Sequence, residues 1–378
     1  MAAAEDALGD AFAAALASWP RVGVPGNPDA WLLVAARRRL ADRARHGGVE
    51  ASAEPTLRLF AETTDVNTSR ETIFPDERLK LLFVCAHPAI DEAARTPLML
   101  QTVLGLDAAR IASAFLVAPV TMSQRLVRVK AKIRDAGIGF EIPGPEALPE
   151  RLQSVLEAIY AAYGTGWDDV AGADPRSHGL AEEAIWLGRL VVGLLPAEPE
   201  AAGLLALMLY CEARRPARRD AIGAYVPLTA QDVTRWSRPM IDEAECQLGD
   251  AARDHRPGRF QLEAAIQSVH AQRAVTGRTD WDAIALLYEG LVRLAPTIGA
   301  RVAQAGALAE ARDAGAGLAA LDAMATDTAL AYQPYWALRA HLLRGLGRVA
   351  EARDAYARAI GLSEDRAVRE FLAAQAPS

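Results

Sequence analysis

Between Leu98 and Arg134 apolar and polar positions alternate with the period of a helix. Leu98, Leu100, Val103 and Leu104 recur at helical spacing, and Gly105 ends the run. Asp107 is placed to cap a second helix burying Ile111, Ala112 and Phe115. After the turn Leu116 to Ala118, Pro119 suits the first position of a third helix. Met122, Leu126, Val129 and Ile133 fall on one face of that helix at 4-3-4 spacing, leaving Thr121, Ser123, Gln124, Arg125 and Arg128 outside. Lys130, Lys132 and Arg134 continue the positive charge.

Such a corner is suited to the DNA major groove. Arg can reach guanine edges, Gln can reach adenine, and the later cations neutralise phosphate. An ordinary amphipathic helix with a solvated basic face is the plainer reading. Two observations favour DNA: Arg125 to Arg134 holds five cations and no acid, in a chain of net charge -7, and two of the three lysines lie there.

Elsewhere the pattern is also helical. Residues 3 to 19 place Leu8, Phe12, Leu16 and Trp19 on one face, with Glu5, Asp6 and Asp10 clustered near the other. A Pro/Gly-rich loop at 20 to 29 leads to a second helix, with Trp31, Leu32, Ala35 and Leu40 inward and Arg37, Arg38, Arg39, Arg43 and Arg45 largely outward. Residues 46 to 75 read as a linker with one short helix near Glu54 to Glu62, and 76 to 92 as a helix ended by His87-Pro88. Beyond Pro143-Gly144-Pro145 the period settles into helix pairs. Trp281, Gly315 and Val349 share a 34-residue register, in which Ile284, Leu318 and Ala352 align, as do Leu287, Leu321 and Ala355. That period is the tetratricopeptide (TPR) length. The last unit is the clearest, with Trp336, Ala340 and Leu343 facing Ala352, Tyr356 and Ala359. The segment EAIWLGRLVVGLLPAEPEAAGLLALMLYCEAR reads as a further helix pair joined at Pro196 to Pro199.

Composition refines this picture. Residues 1 to 140 carry 17 Lys and Arg against 16 Asp and Glu, and the remainder 24 against 32, so the later part is acidic and a poor partner for nucleic acid. Cys85, Cys211 and Cys246 form no C-x-x-C pair and are expected as buried thiols in a reducing cytoplasm. No signal peptide is visible, and the longest apolar run, Ala201 to Cys211, is too short for a bilayer. A cytoplasmic protein with no membrane partner is expected. Six scattered histidines and the lack of a Gly-rich phosphate loop argue against an enzyme. Cys85 and His87 lack a second ligand pair, so no metal or cofactor is expected. GTGWDD at 164 to 169 reads as a turn.

The run from Asp76 to Pro143, above all AFLV…TMSQRLVR…KIRDAGI, resembles domain four of extracytoplasmic-function sigma factors, in the subgroup with a long TPR-like C-terminal extension. The resemblance implies that this helix-turn-helix reads the -35 promoter element within RNA polymerase holoenzyme. AEDALGDAF resembles the domain-two helix that docks on the polymerase clamp, which would assign Asp6 and Asp10 to core polymerase. NPDAWLLVAARRRLADRAR resembles the helix that backs melting at the -10 element, which would place Arg37, Arg38 and Arg43 against DNA. Three departures stand out. Arg110 replaces a usual acid, Ala118 replaces a capping Ser, and Tyr163 to Trp167 replaces the family's Asn-Glu-Gly-Tyr segment. The family also has a helix before AEDAL, so domain two is expected to be truncated by about one helix.

The expected fold is all-α: two small helical sigma domains, the second a helix-turn-helix, followed by a TPR-like α-solenoid. Residues 1–46 would be a partial sigma domain two, 47–75 a linker, 76–140 sigma domain four and 146–378 the TPR-like domain. The DNA-contacting residues would be Thr121, Ser123, Gln124, Arg125, Arg128, Lys130 and Lys132. The expected function is promoter-specific transcription initiation. The C-terminal repeats would modulate it by holding an intramolecular or protein ligand. The alternative is a TPR-type interaction protein or DNA-binding regulator with a vestigial sigma portion that no longer recruits polymerase.

Overall fold

In a computed structural model, the chain divides into two compact units, residues 1–70 and 71–378. The structure describes residues 73–138, 141–168, 179–324 and 326–377, together with Phe12 and Ala15. The expected domain two and linker, with Asp6, Asp10, Arg37, Arg38 and Arg43, lie outside the described residues.

The described part is all-helical, with a single isolated β-bridge between Arg219 and Tyr225. Helix α1 (Glu77–Cys85) starts at Asp76, whose carboxylate accepts from the amides of Arg78 at 2.8 Å and Leu79 at 3.0 Å. Helices α2 (Glu92–Thr102), α3 (Ala108–Ala114) and α4 (Pro119–Asp135) follow, and then the 21-residue α5 (Leu148–Asp168). Helix α5 packs on α1, α2 and α3 on one side and on α6 (Leu180–Leu194) and α7 (Pro199–Ala213) on the other.

One core therefore runs past Pro143-Gly144-Pro145 without a break. Leu79, Phe83, Val129 and Ile133 belong to the same buried cluster as Leu152, Val155, Ile159 and Leu204. A second cluster joins Leu100, Ile111, Met122 and Leu126 to Ala162 of α5 and Leu180 of α6. Polar contacts repeat the connection. Arg78 pairs with Glu183 and lies 5.1 Å from the centre of the Trp186 ring, and Arg151 donates to the carbonyl of Phe83 at 3.0 Å.

Helix α7 is apolar on nearly every face, and 13 of its 15 residues are buried. A helix of that kind belongs at the centre of a layered bundle. It is covered by α6, α8 (Arg238–Ala252) and α9 (Arg259–Ala271). Glu200, in its first turn, accepts from the amides of Phe260 at 3.0 Å and Gln261 at 3.1 Å, so α7 caps the start of α9. A Cβ at Gly258 would fall 2.1 Å from the Glu200 carboxyl carbon and would displace this capping carboxylate.

From α9 onward, helices pack in chain order: α10 (Trp281–Leu294), α11 (Ile298–Ala311), α12 (Ala314–Asp322), α13 (Gln333–Gly345), α14 (Val349–Leu362) and α15 (Arg366–Gln375). The 34-residue register falls at the starts of α10, α12 and α14. Its aligned positions Ile284, Leu318 and Ala352 are all buried. Trp336, Ala340, Leu343, Ala352, Tyr356 and Ala359 share one cluster.

The connection from α7 to α8, residues 214 to 237, crosses to the far end of this array. Arg219 pairs with Asp365, and Tyr225 meets Phe371 edge-on at 5.3 Å. Arg273 donates to the carbonyls of Thr229 and Gln231, both at 2.8 Å, and its guanidinium lies 5.1 Å from the centre of the Trp236 ring.

Candidate nucleic-acid interface

Helices α3 and α4 pack against each other across a short turn at residues 115–118. Asp107 caps α3, accepting from the amides of Ala109 and Arg110 at 3.0 Å each. The turn is closed by Leu116 N–H to Ser113 O at 3.1 Å and Val117 N–H to Ala112 O at 3.0 Å. This is the double-bonded helix stop that normally carries glycine. Here the left-handed position holds Leu116, at φ 52°. Helix α4 then starts at Ala118, which offers no side-chain cap, with Pro119 at the first position.

Met122, Leu126, Val129 and Ile133 are buried, as their spacing demands. At about 100° per residue, the row opposite them is Val120, Gln124, Val127 and Ala131. Thr121, Arg125, Arg128 and Lys132 form one flank, and Ser123, Lys130 and Arg134 the other. Ser123, Gln124, Arg125, Arg128, Lys130 and Lys132 are exposed, and Thr121 is half-buried. Arg128 donates from Nε to the Gln124 carbonyl at 3.3 Å, and Arg134 pairs with Asp135 at 3.2 Å. Among the described residues no acid pairs with Arg125, Lys130 or Lys132. Partial burial pushes the Lys130 ammonium below its ordinary value, although much of the side chain is exposed.

Of the ten residues expected to meet DNA, the seven within α4 lie off its buried face, and Arg37, Arg38 and Arg43 lie outside the described residues. The pattern also held a signal in its apolar positions. Val120 and Val127 fall outside the 4-3-4 stripe and are each 67% exposed. Asp91, Glu92 and Glu157 line a recess of about 430 Å³ together with Phe115.

Within GTGWDD, residues 164–168 are helical and form no turn. Helix α5 runs through Trp167 to Asp168 because arginines from beyond α7 complete its end. Arg215 donates to the Gly166 carbonyl at 3.3 Å and Arg218 to the Trp167 carbonyl at 2.7 Å. Arg218 also stacks on Trp167 at 4.1 Å. Gly166 is there for proximity, since a Cβ would lie 2.6 Å from the Ala181 amide nitrogen. The thiols divide as well: Cys85 is buried, Cys211 half-buried and Cys246 exposed, and all three are free.

Residues 151–252, from α5 through the 214–237 connection to the end of α8, match a family of unknown function, DUF6596. Over 377 residues the chain is 39% identical to an uncharacterized protein, R00370, of Rhizobium meliloti (strain 1021), covering 98% of this chain and 89% of that one. The chain belongs to that protein's family. In this family member the matched segment is joined to α1–α4 through α5, which contributes to both buried clusters. Among the described residues, no helix is long and apolar enough to cross a membrane.

Proposed function

We propose that the protein is an RNA polymerase sigma factor that directs transcription from a small set of promoters. Helix α4 enters the major groove, and the C-terminal helical array modulates the activity. The observation that carries the reading is the division of α4. Its inner face is buried in the helix-turn-helix core, while Arg125, Arg128, Lys130 and Lys132 stand outside on two flanks. Cations on both flanks suit a helix lying between two phosphate backbones. The polymerase partnership rests on the resemblance to extracytoplasmic-function sigma factors. The array of helix pairs in 34-residue register supports the reading of a TPR-like solenoid. A role for this solenoid in regulation is supported by the core it shares, through α5, with the helix-turn-helix.

The test uses the full chain. Bound duplexes are selected from random DNA, and the protein is then assayed with core polymerase for transcription from the selected site. Replacing Gln124 or Arg125 by Ala should relax sequence preference by about 1–3 kcal/mol. Replacing Lys130 or Lys132 should weaken all duplexes alike and reduce the salt slope by about one unit each. DNA binding without any association with core polymerase would replace this reading with that of a DNA-binding regulator.

A further inference from the structure

The outward row of α4 carries two valines where water favours polar side chains. Val120 and Val127 are each 67% exposed, and Leu116, in the turn before them, is 50% exposed. β-Branched residues on an exposed helix row lose rotamer freedom and bury nothing there. Gln124 lies between the two valines. Arg125, Arg128 and Lys132 run along one side of the row, and Lys130 and Arg134 along the other.

An apolar ridge between two cationic edges fits a partner with apolar groups on the floor of an anionic groove. The DNA major groove offers one such group, the C5 methyl of thymine, between walls of phosphate. RNA lacks it, because uracil carries no methyl, and the deep, narrow major groove of A-form RNA does not admit a helix. A lipid surface is less suited. Membrane-lying helices bury broad faces of Leu, Phe or Trp, whereas this row is short and interrupted by Gln124.

We propose that Val120 and Val127 are specificity-determining residues that read thymine methyl groups, with Gln124 between them on an adenine edge. The inference rests on the DNA-binding reading above. The two valines are seven residues apart, about 10.5 Å along the helix axis. In the groove that separation puts them over different base pairs, so the preferred duplex carries thymines at two distinct positions.

The full-length protein and its selected duplex provide the test. Each thymine in turn is replaced by deoxyuridine, which removes only the methyl, and Kd is measured for wild type, Val120→Ala and Val127→Ala. Both positions are exposed and Ala is the better helix former, so the variants remain folded; far-UV circular dichroism checks this. Deoxyuridine at a contacted thymine should weaken wild-type binding about fourfold, the worth of one buried methyl. The matching Val→Ala variant should lose a similar factor on the thymine duplex and nothing further on the deoxyuridine duplex. Full wild-type affinity for every deoxyuridine duplex overturns the methyl reading while leaving DNA binding intact. Failure to select any duplex overturns the DNA reading and this inference with it. Binding to phosphatidylglycerol vesicles without binding to DNA assigns the ridge to a membrane instead.

Discussion

Arg219 pairs with Asp365 across 146 positions of the chain, and Asp365 at the same time caps α15 by accepting from the amides of Ala367 at 2.8 Å and Val368 at 3.3 Å. One carboxylate thus starts the last helix and holds the α7–α8 connection. Asp365→Ala removes both roles and leaves the half-buried Arg219 without its anion. The expected cost is about 2–3 kcal/mol in urea unfolding. Asp365→Asn keeps a capping oxygen and should cost about half as much. Equal losses for the two variants would show that the ion pair, and not the cap, matters.

Stability should fall in mild acid for a different reason. Burial, with Arg214 and Arg273 alongside, lowers the pKa of His270 to about 4. The unfolded chain binds that proton near pH 6.5. The native state therefore holds fewer protons than the unfolded state between these values. Its stability is full above about pH 6.5 and is lost progressively toward pH 4, by about 3 kcal/mol for this group. His270→Phe, which retains an aromatic edge for Trp281 at the present 5.4 Å contact, should flatten that slope. Asp365 acts lower in pH. Burial raises its pKa, but Arg219 and the backbone amides outweigh this and lower it overall. Its contribution is present above the unfolded carboxylate value and vanishes as pH falls through the folded one.

Leu116 occupies a left-handed position with its side chain half exposed. A non-glycine residue there costs about 1 kcal/mol or more. Leu116→Gly should accordingly stabilise the protein by about 0.5–1 kcal/mol after the entropy of the unfolded glycine is counted. Thermal unfolding checks the sign. A fall in Tm would mean that the leucine contacts outweigh the strain.

Helices α1–α4 should not fold alone. Leu100, Ile111, Met122 and Leu126 share their cluster with Ala162 and Leu180, which lie beyond residue 140. A fragment of residues 73–140 is expected to be poorly helical or aggregated, and one of residues 73–252 to be folded. Amide chemical-shift dispersion distinguishes them. A well-dispersed spectrum from the short fragment would contradict a shared core.

Much of this architecture was legible in the sequence because single helices declare their buried face. Met122, Leu126, Val129 and Ile133 specify α4 by spacing alone, and the apolar run around Leu204 to Leu209 specifies the central α7. The 34-residue register located three helix starts. What stayed hidden depended on residues far apart in the chain. Gly164 and Gly166 read as turn formers because nothing local reveals Arg215 and Arg218 closing the helix from the next layer. The crossing of residues 214 to 237 to Asp365 has no periodicity to announce it. Pro143 to Pro145 mark a change of period in the sequence, which does not reveal that one core continues past them. Of the candidate interface, the cations were visible, whereas the two valines became informative only once their exposure was known.

Ala162 gives this coupling a historical dimension. It is buried with Met122 and Leu126, the inward side of the helix whose outward side would face DNA. Natural variation at the outward row can proceed freely, because Val120, Gln124 and Val127 touch no core. Enlargement at Ala162 cannot, unless Met122 or Leu126 shrinks in compensation. Among relatives, positions 122, 126, 162 and 180 should therefore change together, while positions 120, 124 and 127 change independently of them. Promoter preference and the body of the protein would then diverge along separate evolutionary tracks, although they share a single helix.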